Sequence, residues 1–210
     1  MTFATNKMIS HLPYVSIIVP LHNEQTRVRE AVYSIIRYGE RYLVRYEIIL
    51  VDNGSTDETY AVAREMQRTF RPVRALQLDH RSKAHAVRYG MMMAVGQARY
   101  MCDVDLSTPI DQLYGFMEML NNGWDIVIGS REHPDSQVRT SFKRWFIGRT
   151  FHALVLAYTG LDYRDTQCGF KLFTAKAAED IFSRTECTSM AFDVEALYLA
   201  RQLDYNCTEI

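Results

Sequence analysis

The chain has 210 residues, 48% of them hydrophobic and 23% charged, a balance that fits one globular domain spanning residues 1–210 and leaves little room for a second. Lys plus Arg number 24 against 25 for Asp plus Glu, a formal charge of −1, so no global attraction to nucleic acid operates and any basic surface is local. Cys102, Cys168, Cys187 and Cys207 stand far apart with no Cys-x-x-Cys pair, and no signal-peptide pattern opens the chain. That argues against a cysteine zinc site and a disulfide framework, and predicts reduced thiols in a cytosolic setting.

In chain order, Val15-Ser-Ile-Ile-Val19 is a β-branched run ended by Pro20, and Val28, Val32, Ile35 and Ile36 follow at helical spacing. The unit repeats. Glu47-Ile-Ile-Leu-Val51 reads as a strand buried on both faces, and Asn53-Gly54 turns the chain into Ser55-Thr-Asp-Glu58. There Ser55 and Glu58 match a capping box before the stripe Val62, Met66 and Phe70. A third strand is expected near residues 73–78 with a helix over 82–95. A fourth strand is expected over 99–104, with Thr108 as cap and Pro109 as first residue of the next helix. Residues 125–129 give a fifth strand, and the alternation predicts a doubly wound α/β domain with a parallel sheet covered on both faces. Beyond it come a long helix over about 138–158, a short strand at 170–173, and helices near 174–182 and 193–203. Asn206-Cys-Thr-Glu-Ile210 reads as the start of another strand, as in a chain that continues.

The most apolar long stretch, residues 145–161, is broken by Arg149 and His152 and falls short of the roughly 20 residues a membrane-spanning helix needs. Arg139-Thr-Ser-Phe-Lys-Arg-Trp-Phe-Ile-Gly-Arg149 interleaves cations and aromatic rings, with Arg139, Lys143 and Phe146 on one helical side. Such a mixture suits either a membrane surface or a core helix with a basic edge.

Ligands of open α/β sheets sit beyond the carboxyl ends of the strands. Here those ends carry Pro20-Leu-His-Asn-Glu24, Asp52-Asn-Gly-Ser-Thr-Asp57, Asp103-Val-Asp105 and Gly129-Ser-Arg131. Singly, such residues commonly cap a helix or make a turn. Together, at successive strand ends, they mark a site. In Asp103-Val-Asp105, a strand period of two sends both carboxylates to one side, where they suit a hard cation such as Mg²⁺ or Mn²⁺ that also bridges to phosphate oxygens. Capping by Asp105 competes with this reading, but Thr108 offers a cap of its own.

These ordered motifs, with Asp165-Thr-Gln-Cys-Gly-Phe-Lys-Leu-Phe173 and Phe192-Asp-Val-Glu195, resemble family 2 glycosyltransferases of the GT-A fold. Within that family they are most similar to the branch that acts on dolichyl and other polyprenyl phosphates. The resemblance implies a Rossmann-like, mostly parallel sheet and inverting transfer of a hexose to a polyprenyl phosphate. The implied donor is UDP-glucose, with GDP-mannose as the alternative. It also implies that Pro20, His22, Glu24 and Asp52 hold the nucleotide, that Asp103 and Asp105 hold the metal, and that Asp165 acts as base or orients the acceptor, with Asp193 a second candidate. Lys83 falls where the family has Lys-Gly-Gly-Ala near the nucleotide. This chain has Lys83-Ala-His-Ala86, whose side chains restrict close backbone approach.

An ionised phosphate monoester, with second pKa about 6, is already a nucleophile and asks chiefly for cationic positioning. Arg131 is the first candidate to clamp phosphates, with Arg139 and Lys171 behind it, and the last two read equally well as ordinary solvated charges. Asp193 also fits the acidic first turn of a helix. Cys168, with no His beside it, reads as a small packed residue. The expected setting is the cytoplasmic face of a membrane, peripherally attached. The other readings are a family 2 enzyme acting on a glycan and a non-catalytic nucleotide-sugar-binding domain.

Overall fold

A computed structural model describes residues 14–43, 45–79, 82–130, 155–156, 158–189 and 191–210. Within them, β1 (Val15–Leu21), β2 (Tyr46–Asn53), β3 (Val73–Leu78), β4 (Ala98–Met101), β5 (Ile126–Ile128), β6 (Lys171–Thr174) and β7 (Cys207–Glu209) form one sheet in the order β3-β2-β1-β4-β6-β5-β7. The α-helices are α1 (Val28–Tyr42), α2 (Thr59–Thr69), α3 (Lys83–Met93), α4 (Leu113–Asn121), α5 (Ala175–Phe182) and α6 (Phe192–Gln202). The strand period of two divides the core between two layers. Ile17, Val19, Ile48 and Leu50 face the stripe of α1 and the apolar side of α4. Ile18, Ile49 and Val51 face α3, in the layer that also takes in α5 and α6.

The α/β architecture agrees with the alternation in the sequence. β1 through β4 pair in parallel, and the one reversed strand is β6, which runs antiparallel to both β4 and β5. The residues at the chain's end do form a strand, β7, parallel to β5. The chain leaves β1 toward β2 and β3 on one side and returns to β4 on the other, so the strand order reverses between β1 and β4. Their ladder ends at Ile18↔Met101, where β4 stops while β1 continues to Leu21, and the place beyond that pair is where open α/β sheets form their ligand crevice.

Local expectations needed three corrections. β4 ends at Met101 rather than running to residue 104, so Asp103 and Asp105 lie on a turn closed by Leu106 N–H donating to the Asp103 carbonyl, 3.1 Å. Ser55 and Glu58 form no capping box. α2 begins at Thr59, whose N–H donates to Asp57 Oδ1 at 3.0 Å, while Ser55 Oγ accepts the Asn23 N–H. Pro109 does not open an α-helix: a 3₁₀ turn at Ile110–Gln112 follows it and leads into α4, and Thr108 caps neither. The helix expected over 138–158 lies almost wholly outside the described residues, as do Arg131, Arg139, Lys143 and Phe146.

At the amino ends of the strands a buried network fixes the sheet. Glu47 Oε1 accepts from Ser16 Oγ (2.6 Å) and the Val95 N–H (2.9 Å), Oε2 accepts from Arg74 (2.9 Å), and Ser16 Oγ accepts the Gly96 N–H (2.8 Å). A Cβ at Gly96 would stand 2.6 Å from the Ser16 nitrogen, so the turn into β4 closes only on glycine. Removing the carboxylate strands several buried donors. Glu47→Ala is expected to cost roughly 2–3 kcal/mol, read as a lower urea midpoint at unchanged slope.

Candidate active site

The crevice between β1 and β4 gathers most of the residues singled out in the sequence. On its β2 side the two loops are laced together. Asn23, in the left-handed region at φ 54°, accepts the Thr56 N–H on Oδ1 at 2.9 Å, and the Glu24 N–H donates to Thr59 Oγ1 at 2.7 Å. Pro20 lies in β1, beyond the last β1–β4 pair. His22 sits 3.0 Å from the Asn53 carbonyl through Nδ1. A carbonyl only accepts, so that nitrogen carries the proton. Glu24 pairs with Arg27 at 2.9 Å, and its carbonyl accepts the Val28 N–H that starts α1.

Asp52 ends β2 fully buried. Its Oδ2 has only a long contact, 3.5 Å, from the Ser55 N–H, and Oδ1 has no hydrogen-bond partner among the described residues. A buried carboxylate oxygen left without a donor is costly, and a ligand N–H or O–H would satisfy it. Ser130 Oγ, at the end of β5, is buried and without a partner in the same way.

Asp103 and Asp105 follow β4 on the closed turn. Leu106 takes φ 46° there, a strained conformation for a bulky residue that its packing on the core holds in place. Asp103 Oδ1 accepts from Lys83 Nζ at 2.6 Å. Lys83 opens α3, whose cap is Ser82: Ser82 Oγ accepts the His85 N–H, and the Ser82 N–H donates to Asn53 Oδ1 at 2.5 Å. Asp105 is exposed, and its Oδ1 accepts the Ser107 N–H at 3.0 Å. It therefore does cap the turn, contrary to the argument from Thr108, and a second oxygen remains for other work.

No group of three or more His, Cys, Asp and Glu side chains among the described residues could hold a metal by itself. Two carboxylates on one turn nevertheless suit Mg²⁺ or Mn²⁺, which takes its remaining oxygens from phosphate and water. The ammonium of Lys83 on Asp103 shows that positive charge is accepted at that oxygen. The donor set fits such an ion.

Behind Asp103 lies the segment from Asp165 to β6. Asp165 is buried, and the N–H groups of Arg164 and Asp165 donate to the two oxygens of Glu209 in β7, 3.0 and 2.9 Å. Lys171, expected as a phosphate clamp, is only 1% exposed. Its ammonium donates to Asp193 Oδ1 (2.6 Å) and the Cys168 carbonyl (2.5 Å), so it faces inward and does not reach a bound phosphate as placed. Asp193 stands in the acidic first turn of α6, yet it is buried. Burial holds its carboxyl above the usual range, against the pull of Lys171 and Lys83. Glu195 accepts the N–H groups of Glu186 and Cys187. None of the four cysteines forms a disulfide, and burial pushes Cys102 far up, so it is inert.

Sequence reasoning missed Asn53, Ser82, Gly169 and Glu209. Asn53 read as a turn residue and Ser82 only as the start of a helix, whose cap the structure shows it to be. Gly169 gave no separate signal inside its motif, and Glu209 sits on a strand whose pairing only the tertiary structure reveals.

An open α/β sheet with acidic side chains at its switch point is the architecture of nucleotide-binding domains. The chain matches the model of the family "Glycosyl transferase family 2" over residues 16–182, and it belongs to that family. It is 36% identical over 212 residues to dolichyl-phosphate beta-glucosyltransferase of Drosophila melanogaster, and 34% identical over 212 residues to that of Homo sapiens. In each case the match takes in 93% of this chain and 65% of the relative, so the chain spans less than two thirds of their length. Among solved structures, glucosyl-3-phosphoglycerate synthase from Mycobacterium tuberculosis, in complex with Mn²⁺ and UDP-glucose, superposes with a TM-score of 0.70. That match has 14% identity and covers 100% of this chain and 72% of that one. At that identity the likeness establishes the GT-A fold.

The orphaned oxygen of Asp52 yields a prediction. Asp52→Ala should weaken binding of UDP by roughly 1–3 kcal/mol, measured by calorimetry, because the ligand donor loses its buried acceptor. The thermal midpoint should move little, since among the described residues the carboxylate has only the long 3.5 Å contact from the Ser55 N–H to lose.

Proposed function

We propose that this chain transfers glucose from UDP-glucose to dolichyl or another polyprenyl phosphate, with inversion at the anomeric carbon. The observation that carries this reading is the meeting of Asp103, Lys83 and the partnerless oxygen-bearing Asp52 around the crevice between β1 and β4. The relatives named dolichyl-phosphate beta-glucosyltransferase support the choice of sugar and acceptor.

In this reading Asp52 accepts hydrogen bonds from the nucleoside, and Pro20, His22 and Glu24 line the loop beside it. Asp103 and Asp105 hold Mg²⁺ or Mn²⁺, which when bound offsets charge on the departing diphosphate. Lys83 turns its ammonium to the same phosphates. An acceptor phosphate oxygen forms the new bond to the anomeric carbon as the bond to the UDP oxygen breaks, and UDP leaves with the electron pair. The attacking phosphate is already ionised near neutral pH, so no protein base has to remove a proton. Asp165 orients the acceptor. Arg131, outside the described residues and three positions after β5 in the sequence, clamps its phosphate, with Arg139 further along the sequence.

Among the described residues no helix is long and apolar enough to cross a membrane. We assign the chain a peripheral position on the cytoplasmic face, with the basic and aromatic stretch over residues 139–149 against the headgroups.

Incubating the protein with Mn²⁺, short polyprenyl phosphate and a panel of labelled sugar nucleotides should carry label from UDP-glucose into the lipid phase. EDTA should abolish the transfer. Label arriving from GDP-mannose instead would overturn the donor, and glycosylation of a water-soluble sugar in preference to the lipid would overturn the acceptor.

Arg131→Ala should depress transfer at least tenfold, about 1.4 kcal/mol of barrier, while UDP affinity is kept, because the lost contact is with the attacking phosphate. Lys143→Glu with Arg144→Glu should reduce sedimentation with anionic liposomes, and added salt should weaken wild-type binding.

A further inference from the structure

The segment behind the acidic turn holds a glycine against a carboxylate. A Cβ built on Gly169 would fall 2.7 Å from Asp103 Cγ and 3.2 Å from Oδ1, and would overlap Oδ2 outright. On its other side Asp103 meets the Lys83 ammonium at 2.6 Å. The carboxylate therefore lies between a cation and a bare Cα, and its direction depends on where that Cα stands.

The position of Gly169 is fixed from both sides. The carbonyl before it, of Cys168, accepts from Lys171 Nζ at 2.5 Å, and the carbonyl after it, of Phe170, accepts the Gly129 N–H at 2.9 Å. Lys171 is held in turn by Asp193 at 2.6 Å, and both side chains are buried. A buried ion pair costs desolvation that its attraction often fails to offset, so a pair of apolar residues would hold α6 on β6 as well. Its presence behind the site calls for a function other than packing.

We propose that Gly169 is a seat for the Asp103 carboxylate, and that the Lys171–Asp193 pair is a positioning device that keeps the seat in place through the Cys168 carbonyl. The proposal rests on Asp103 being a metal ligand, the reading given above. A side chain at 169 pushes the carboxylate off its direction while leaving the core untouched, because the group displaced is the far end of a partly exposed side chain. Loss of the Lys171 ammonium frees the 168–169 peptide to turn and lets the seat drift. Groups that orient a metal ligand act in this way.

The test is a titration of the full chain with Mn²⁺ alone. Bound ion is read from the loss of the free-ion paramagnetic resonance signal, and the thermal midpoint is recorded for each variant. Gly169→Ala should bind Mn²⁺ roughly 10- to 100-fold more weakly than wild type at an unchanged thermal midpoint. The apolar pair Lys171→Met with Asp193→Leu should keep the midpoint and still weaken Mn²⁺ binding, which a purely structural pair would not do. If that double variant unfolds, Lys171→Arg takes its place, since it keeps the charge but moves the donor from the Cys168 carbonyl. Wild-type protein that takes up no Mn²⁺, or Asp103→Ala that binds it as well as wild type, overturns the metal reading itself. Loss of binding in Asp103→Ala with wild-type affinity in Gly169→Ala overturns the seat alone. Wild-type affinity in the pair variant overturns the role of Lys171 and Asp193.

Discussion

Charge at the carboxyl end of β4 is the constraint on which the rest of the site depends. Asp103 and Asp105 sit two residues apart on the turn after β4, and carboxylates so placed repel unless cations answer them. Lys83 answers Asp103 directly. To deliver that ammonium, α3 must begin where it does, and its start is fixed by Ser82, which caps the helix and ties back to Asn53 at the end of β2. The loop chemistry of three strand ends is thus one connected problem.

The opposite end of the sheet solves the problem of rigidity. Glu47, Ser16, Arg74 and the turn at Val95 and Gly96 satisfy one another, so the amino ends of β1, β2 and β4 are locked where no ligand is needed. Stress gathers at the carboxyl end instead: of the three non-glycine residues at positive φ among the described residues, Asn23 and Leu106 stand there, as does the partnerless oxygen of Asp52. Such features persist only when surrounding packing over-determines them. For Leu106 that packing is the core beneath it, and for Asn23 the bonds to Ser55 and Thr56 play the same part.

The same division explains what the sequence disclosed. Strands buried on both faces announce themselves by unbroken apolar runs, so β1 and β2 were legible along nearly their whole length, and the stripes of α1 and α2 gave the helices beside them. Where polar residues decide, local rules misled. Ser55 looked like a cap because its spacing to Glu58 was right, but Asn23, 32 residues away in sequence, claims it through a backbone N–H. Asp103 and Asp105 were placed on a strand by their period of two, whereas the chain leaves the sheet after Met101 and carries both on a turn. Lys171 reads as a surface cation in any window of sequence. Only the approach of α6, with Asp193, makes it internal.

The charges around the crevice do not balance. Lys83 is matched to Asp103 and Lys171 to Asp193, each at 2.6 Å. Asp52 and Asp105 have no cationic partner among the ion pairs of the described residues, and Asp193 feels Lys83 and Asp103 as well as Lys171, so these charges act as one field. Counted over the described residues alone, that field keeps an excess of negative charge beyond the two lysines. A nucleoside diphosphate, itself an anion, would enter such a crevice against repulsion unless a divalent cation came with it. If the proposed ion binds there, carboxylates that hold it would also repel a bare nucleotide, so the metal would bear on donor entry as well as on departure of the diphosphate.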